Sequence, residues 1–134
     1  MKISEWMTRT PHSVGKGQTL GVAHQLMRDH DLRHLPVLEG GELVGILSQR
    51  DLYFLETIKD VNIGVDRVDD AMSLDVYSVG PDTPVDQVVG NMAKHKYGCA
   101  VVVERGRVIG VFTTTDALRL LADRLRPRRK PHAA

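Results

Sequence analysis

Apolar residues recur three and four apart at Leu20, Ala23, Leu26 and Met27, and again at Val85, Val88, Val89 and Met92. That spacing predicts a helix in each stretch, with one face turned to a core. Each helix is followed by two short apolar runs. The first pair, 35–38 and 43–47, turns at Glu39-Gly40-Gly41, and the second, 100–103 and 108–112, turns at Arg105-Gly106. These read as β-hairpins. A further helix is predicted over about 49–59, and its counterpart over about 114–125. A short extended piece precedes each set, at Ser13-Val14 and at Tyr77-Ser78-Val79.

The two sets are copies. Sliding the chain on itself by 65 residues lays 7–52 on 72–117 without a gap, and eleven of those forty-six positions are identical. Among them are Met7/Met72, His30/His95, Gly45/Gly110 and Asp51/Asp116. Such self-similarity marks a repeat architecture. The chain divides into a first strand–helix–strand–strand–helix unit over 1–59, a linker over 60–66, a second unit over 67–125, and a tail over 126–134. Even alternation of strands and helices predicts an α/β (α+β) fold.

Composition narrows the class. At 134 residues, 42% hydrophobic and 26% charged, the chain suits a soluble globular domain. Its one cysteine, Cys99, excludes an intrachain disulfide and a multi-cysteine zinc site. No signal-like stretch or bilayer-length apolar run occurs, so the expected compartment is the reducing cytoplasm, with no membrane partner. The net charge of +1 conceals an asymmetry: residues 1–123 carry 13 basic against 17 acidic side chains, a balance of −4, while the last eleven carry five basic and none acidic. An acidic body with a short, basic, disordered tail is expected.

The segments RHLPVLEGGELVGILSQRDL (33–52) and CAVVVERGRVIGVFTTTDAL (99–118) resemble the signature half of cystathionine-β-synthase (CBS) domains. The stretches opening at Met7-Thr8 and Met72-Ser73 fit the family's first half. The resemblance covers roughly 2–122, and it implies two units packed by their sheets about a pseudo-twofold axis. It also implies a non-catalytic sensor that binds adenosine-containing ligands (AMP, ADP, ATP, S-adenosylmethionine or NAD) in two clefts between the units and regulates an effector. No cofactor is obligatory on this reading, and adenine nucleotide is the ligand.

An adenosine site needs a carboxylate for the ribose hydroxyls and donors for phosphate. Both repeats offer a glycine within a strand, then a hydroxyl three residues before an aspartate at a helix start: Gly45, Ser48, Asp51 and Gly110, Thr113, Asp116. The same pattern is that of a helix cap. The two readings coexist if the hydroxyl caps while the carboxylate faces a cleft. By resemblance, the Asp51 cleft combines Ile46, Ser48 and Arg50 with Thr83, Val88, Tyr97 and Gly98, and Arg33 and His34 reach its phosphates. The Asp116 cleft combines Val111, Thr113 and Thr115 with Gln18, Ala23, Leu32 and Arg33. It carries Gly98 and Cys99 where its counterpart has Arg33 and His34, so the Asp51 cleft is the better nucleotide polyphosphate site.

Other readings are blander. Arg33, His34 and Arg50 also suit a solvated surface. His30 and His95 finish their helices, and the His30-x3-His34 spacing lacks a third metal ligand. Cys99 sits in an apolar strand as a small buried side chain. No nucleophile–base pair or P-loop occurs, so no catalysis is expected. Leu52-Tyr53-Phe54-Leu55 wraps a helix in apolar surface, and Leu118, Leu120, Leu121 and Leu125 follow suit, which predicts a homodimer. Competing readings are nucleic-acid association through the tail, which a body with only six aromatic rings supports poorly, and a structural dimer with empty clefts.

Overall fold

The structure, a computed structural model, describes residues 1–9, 12–58 and 60–127. The basic residues 128–134 of the expected tail lie outside the described residues. The elements run β1 (Thr8–Arg9), β2 (Val14–Gly15), α1 (Leu20–His30), β3 (His34–Glu39), β4 (Glu42–Ser48), α2 (Gln49–Glu56), β5 (Ser78–Val79), α3 (Val85–His95), β6 (Cys99–Glu104), β7 (Arg107–Thr113) and α4 (Thr114–Leu125). Single 3-10 turns lie at Ile3–Glu5 and Val68–Asp70.

The hairpins β3–β4 and β6–β7 form where expected, and each is extended by a parallel strand, β2 beside β3 and β5 beside β6. Their turns use positive φ at Gly40 and Gly41, and at Arg105 and Gly106. Apolar side chains of α1 and α2 pack on one sheet around Leu35, Val37 and Leu47. Those of α3 and α4 pack on the other around Ala100, Val102 and Phe112. Between the sheets lies a third layer, Cys99, Val101 and Val111 against Leu43, Ile46, Val76 and Val108. The two repeats therefore meet sheet to sheet, each with its helices outside.

The packing units are not the sequence units. Ile3 and Met7 belong to the core of the second repeat, buried with Val85, Val88, Met92 and Phe112. Val68, Ala71 and Met72 belong to the core of the first. Strand β1 pairs antiparallel with β7, Thr8 opposite Val111, and Ser73 makes the equivalent two backbone bonds to Ile46. Each 3-10 turn is docked by two backbone bonds: Ile3 N–H donates to Thr83 O and Ser4 N–H to Pro81 O at 2.8 and 3.1 Å, and Val68 N–H to Gln18 O and Asp69 N–H to Lys16 O at 2.8 and 3.0 Å.

Segment 60–66 is likewise packed and no free linker. Asp66 O and Ile63 O accept from Leu20 N–H and Gly21 N–H at 2.8 and 2.7 Å, which satisfies donors that the first turn of α1 leaves open. Met1 O does the same for Val85 at the start of α3. Helix α2 stops at Glu56, short of the expected 59, because the Thr57 hydroxyl donates to Phe54 O at 2.6 Å and closes the last turn. Lys59 lies outside the described residues.

Candidate functional site

Ser48 and Thr113 cap α2 and α4. Ser48 Oγ accepts from Asp51 N–H at 3.1 Å, and Thr113 Oγ1 from Asp116 N–H at 3.3 Å. Beyond that shared feature the two aspartates part. The Asp116 carboxylate, only 8% exposed, accepts from Thr113 N–H at 2.9 Å and from the hydroxyls of Thr113 and Thr8, with Arg119 at 3.6 Å. It ties the crossing strand β1 to the start of α4. Ser73, which stands where Thr8 stands in the other repeat, caps Asp75 instead. Asp51 is consequently exposed, with no side-chain hydrogen bond among the described residues.

A cleft of about 900 Å³ opens beside Asp51, between the repeats. Six of the residues expected there from the first repeat line it: Arg33, His34, Ile46, Ser48, Arg50 and Asp51. The facing wall comes from the second repeat and holds Tyr97, Gly98 and Cys99. Sequence reasoning missed Asp75, Tyr77, His95 and Lys96 on that wall, and Tyr53 on α2. Tyr97 stacks on Tyr77 and on His95, with ring centroids 5.1 and 5.2 Å apart, so the wall carries a continuous aromatic strip. His95 and Tyr97 flank Lys96, whose αL backbone ends α3.

Thr83 and Val88 are not brought into this cleft. Val88 is wholly buried in the core, and the Thr83 carbonyl holds the Ile3 turn. The second expected cleft is not assembled as drawn from the sequence. Val111 and Leu32 line a smaller cavity of about 260 Å³ with Thr8, Arg9, His12, His30 and His34. Asp116 faces a separate surface depression beside Trp6 and Arg119. Ala23 is buried, and Gln18 is spent on local bonds, its Oε1 accepting from Gly15 N–H at 2.7 Å. Thr113, Thr115 and Arg33 are not among the residues lining the smaller cavity.

The strand glycines also differ from their expected use. A Cβ at Gly45 would lie 2.7 Å from Met72 Sδ and 3.0 Å from Ser73 O, and one at Gly110 would collide with Met7 Sδ. What approaches the backbone there is the crossing segment. Gly98 gives room to His34 in the same way, a Cβ falling 2.9 Å from its Nε2.

His34 borders both cavities, and its Nδ1 is buried with no hydrogen-bond partner among the described residues. Burial, with a smaller push from Arg33, lowers its pKa below 6.5, against the pull of Asp51. Burial and then the charge of Asp116 push the Cys99 thiol up to about 12, so it stays protonated and unreactive at neutral pH. No group of three His, Cys, Asp or Glu among the described residues is placed to hold a metal ion. No helix among them is long and apolar enough to cross a membrane.

The CBS domain model matches residues 3–55 and 68–123. The chain belongs to the CBS domain family. The sheet-to-sheet pairing of two such units is shared by the CBS domain pair of protein MJ0100, solved with 5′-methylthioadenosine and S-adenosyl-L-methionine. That pair is 24% identical with a TM-score of 0.84, covering 92% of this chain and 98% of that one. The CBS domain-containing protein YhcV of Bacillus subtilis is 28% identical over 85% of this chain and 81% of its own length. Inosine-5'-monophosphate dehydrogenase of Korarchaeum cryptofilum is 34% identical over 116 residues, 86% of this chain. This CBS chain spans about a quarter of that enzyme, 23% of its length.

Proposed function

We propose that this CBS pair is a non-catalytic cytoplasmic sensor that takes an adenosine-containing ligand, such as AMP, ADP or ATP, into the Asp51 cleft and signals its occupancy to an effector protein. The observation that carries this reading is the uncommitted Asp51 carboxylate at the mouth of a 900 Å³ cleft, a volume within the range for cofactor sites. In this reading Asp51 accepts from the ribose hydroxyls. Ile46, Val76 and the Tyr77–Tyr97 strip flank the base. Arg33, Arg50 and Lys96 neutralise phosphate, and His34 and Ser48 supply further polar contacts. A related fold that holds two adenosine-containing molecules supports it.

Assembly belongs to the same proposal. Phe54 on α2 is 66% exposed and Leu121 on α4 is 51% exposed. An apolar groove of about 760 Å³ runs between α3 and α4, lined by Val85, Val89, Met92 and Leu118. A second copy of the chain is the occupant that would cover these faces, giving a homodimer that exposes its clefts.

Calorimetry with AMP, ADP, ATP and S-adenosylmethionine tests the site. The expected result is saturable binding of at least one, weakened by about 1.5–3 kcal/mol in Asp51→Ala, the worth of hydrogen bonds to a charged group. Affinity unchanged in a folded Asp51→Ala protein overturns the assignment.

A further inference from the structure

The smaller cavity is the pseudo-symmetric counterpart of the Asp51 cleft. An offset of 65 carries Thr8, His12, His30, Leu32 and His34 onto Ser73, Tyr77, His95, Tyr97 and Cys99, all of which line the larger cleft. We propose that this second cavity is a site for a compact oxyanion of phosphate size and does not take a nucleoside.

Three differences carry the inference. The cavity holds about 260 Å³, against about 900 Å³ for its counterpart, and falls below the ~300 Å³ at which pockets for cofactor-sized ligands begin. Its aspartate is withdrawn: Asp116 is held by Thr113 and Thr8 and does not line the cavity, so no carboxylate among the described lining residues is there to accept from a ribose diol. Its walls have changed character. Where the larger cleft has Tyr77, Tyr97 and Cys99, this one has His12, Leu32 and His34, and the crossing strand β1 adds Arg9.

One guanidinium and three imidazoles therefore converge on a small space, and no carboxylate stands among the described residues that line it. The His12 and His30 rings stack with centroids 3.6 Å apart and planes 14° from parallel, which holds both in one orientation. His34 brings a buried polar atom, Nδ1, that has no partner within the described residues. Arginine and imidazole N–H groups are the donors that suit tetrahedral oxyanions, which accept several hydrogen bonds at once. Asp116 lies beyond Thr8, and Arg119 at 3.6 Å opposes its charge. The inference shares His34 with the adenosine reading but uses neither Asp51 nor the aromatic strip.

The test is calorimetric titration of the full chain with inorganic phosphate, at constant ionic strength in a phosphate-free buffer. Saturable binding is expected, and Arg9→Gln and His30→Gln should each weaken it roughly tenfold or more, the worth of one hydrogen bond to a charged group. Both side chains are exposed, so neither substitution removes core packing. Asp51→Ala should bind phosphate as the parent does. Absence of saturable binding, or equal affinity in Arg9→Gln and His30→Gln, overturns the proposal. So does displacement of phosphate by AMP in the Asp51→Ala protein, since a whole nucleotide would then fit the cavity. Phosphate binding in a chain that takes no adenine nucleotide would refute only the proposed function.

Discussion

Asp51 and Asp116 occupy the same place in the two repeats, and replacing each by alanine should have opposite consequences for stability and for ligand binding. Asp116→Ala deletes a carboxylate only 8% exposed and frees Thr113 N–H, which it holds at 2.9 Å, along with the Thr8 hydroxyl. Loss of a cap costs about 1 kcal/mol, and a half-buried N–H without a partner adds about 1–2 kcal/mol, so about 2–3 kcal/mol is expected. Asp51→Ala keeps the bond from its own backbone N–H to Ser48 Oγ at 3.1 Å. It forfeits only an exposed charge at a helix N-terminus, worth about 0.5 kcal/mol. Urea melts resolve the contrast: with a slope of about 2 kcal/mol per molar, the Asp116 variant should melt about 1 M earlier, and the Asp51 variant within about 0.3 M of the parent. Equal shifts, or the reverse order, would refute the assignment of Asp116 to structure and Asp51 to the cleft.

Gly45→Ala and Gly110→Ala should each destabilise by about 1–3 kcal/mol, because a Cβ there meets the crossing methionine. Pairing them with Met72→Ala and Met7→Ala in double-mutant cycles should reveal favourable coupling, and strictly additive costs would contradict the contact. Phe54→Glu or Leu121→Glu should convert a dimer to a folded monomer by light scattering, and a parent chain already monomeric at tens of micromolar removes the dimer proposal. The lowered pKa of His34 means that the unfolded chain takes up a proton first as pH falls below 6.5, so stability is lost in that direction. His34→Gln should make that loss shallower in urea melts between about pH 7 and pH 5, and an identical slope would refute the burial of a neutral imidazole.

The hairpins and four helices were readable because their signals are local: apolar spacing at Leu20, Ala23 and Met27, and glycines at the turns. The offset of 65 located both aspartates, and the family resemblance supplied the first repeat's share of the Asp51 cleft. What the chain did not disclose depends on pairing across long separations. Nothing within a window around Ile3 says that it packs on Phe112, and without that crossing Gly110 reads as space for a ligand. Asp116 reads like Asp51 until Thr8 is seen to take its carboxylate. Arg9 and His12 were missed for the same reason, since the crossing segment is what carries them to the wall of the smaller cavity.

The exchange of 3-10 turns also bears on how this molecule comes apart. Severed near residue 58, the first half would carry Ile3 and Met7 with no sheet to receive them, and its own sheet would lack Val68. The second half would carry the reciprocal surplus and deficit. Each fragment is at once key and lock for the other, so two polypeptides expressed separately can regain a complete interior only by finding one another.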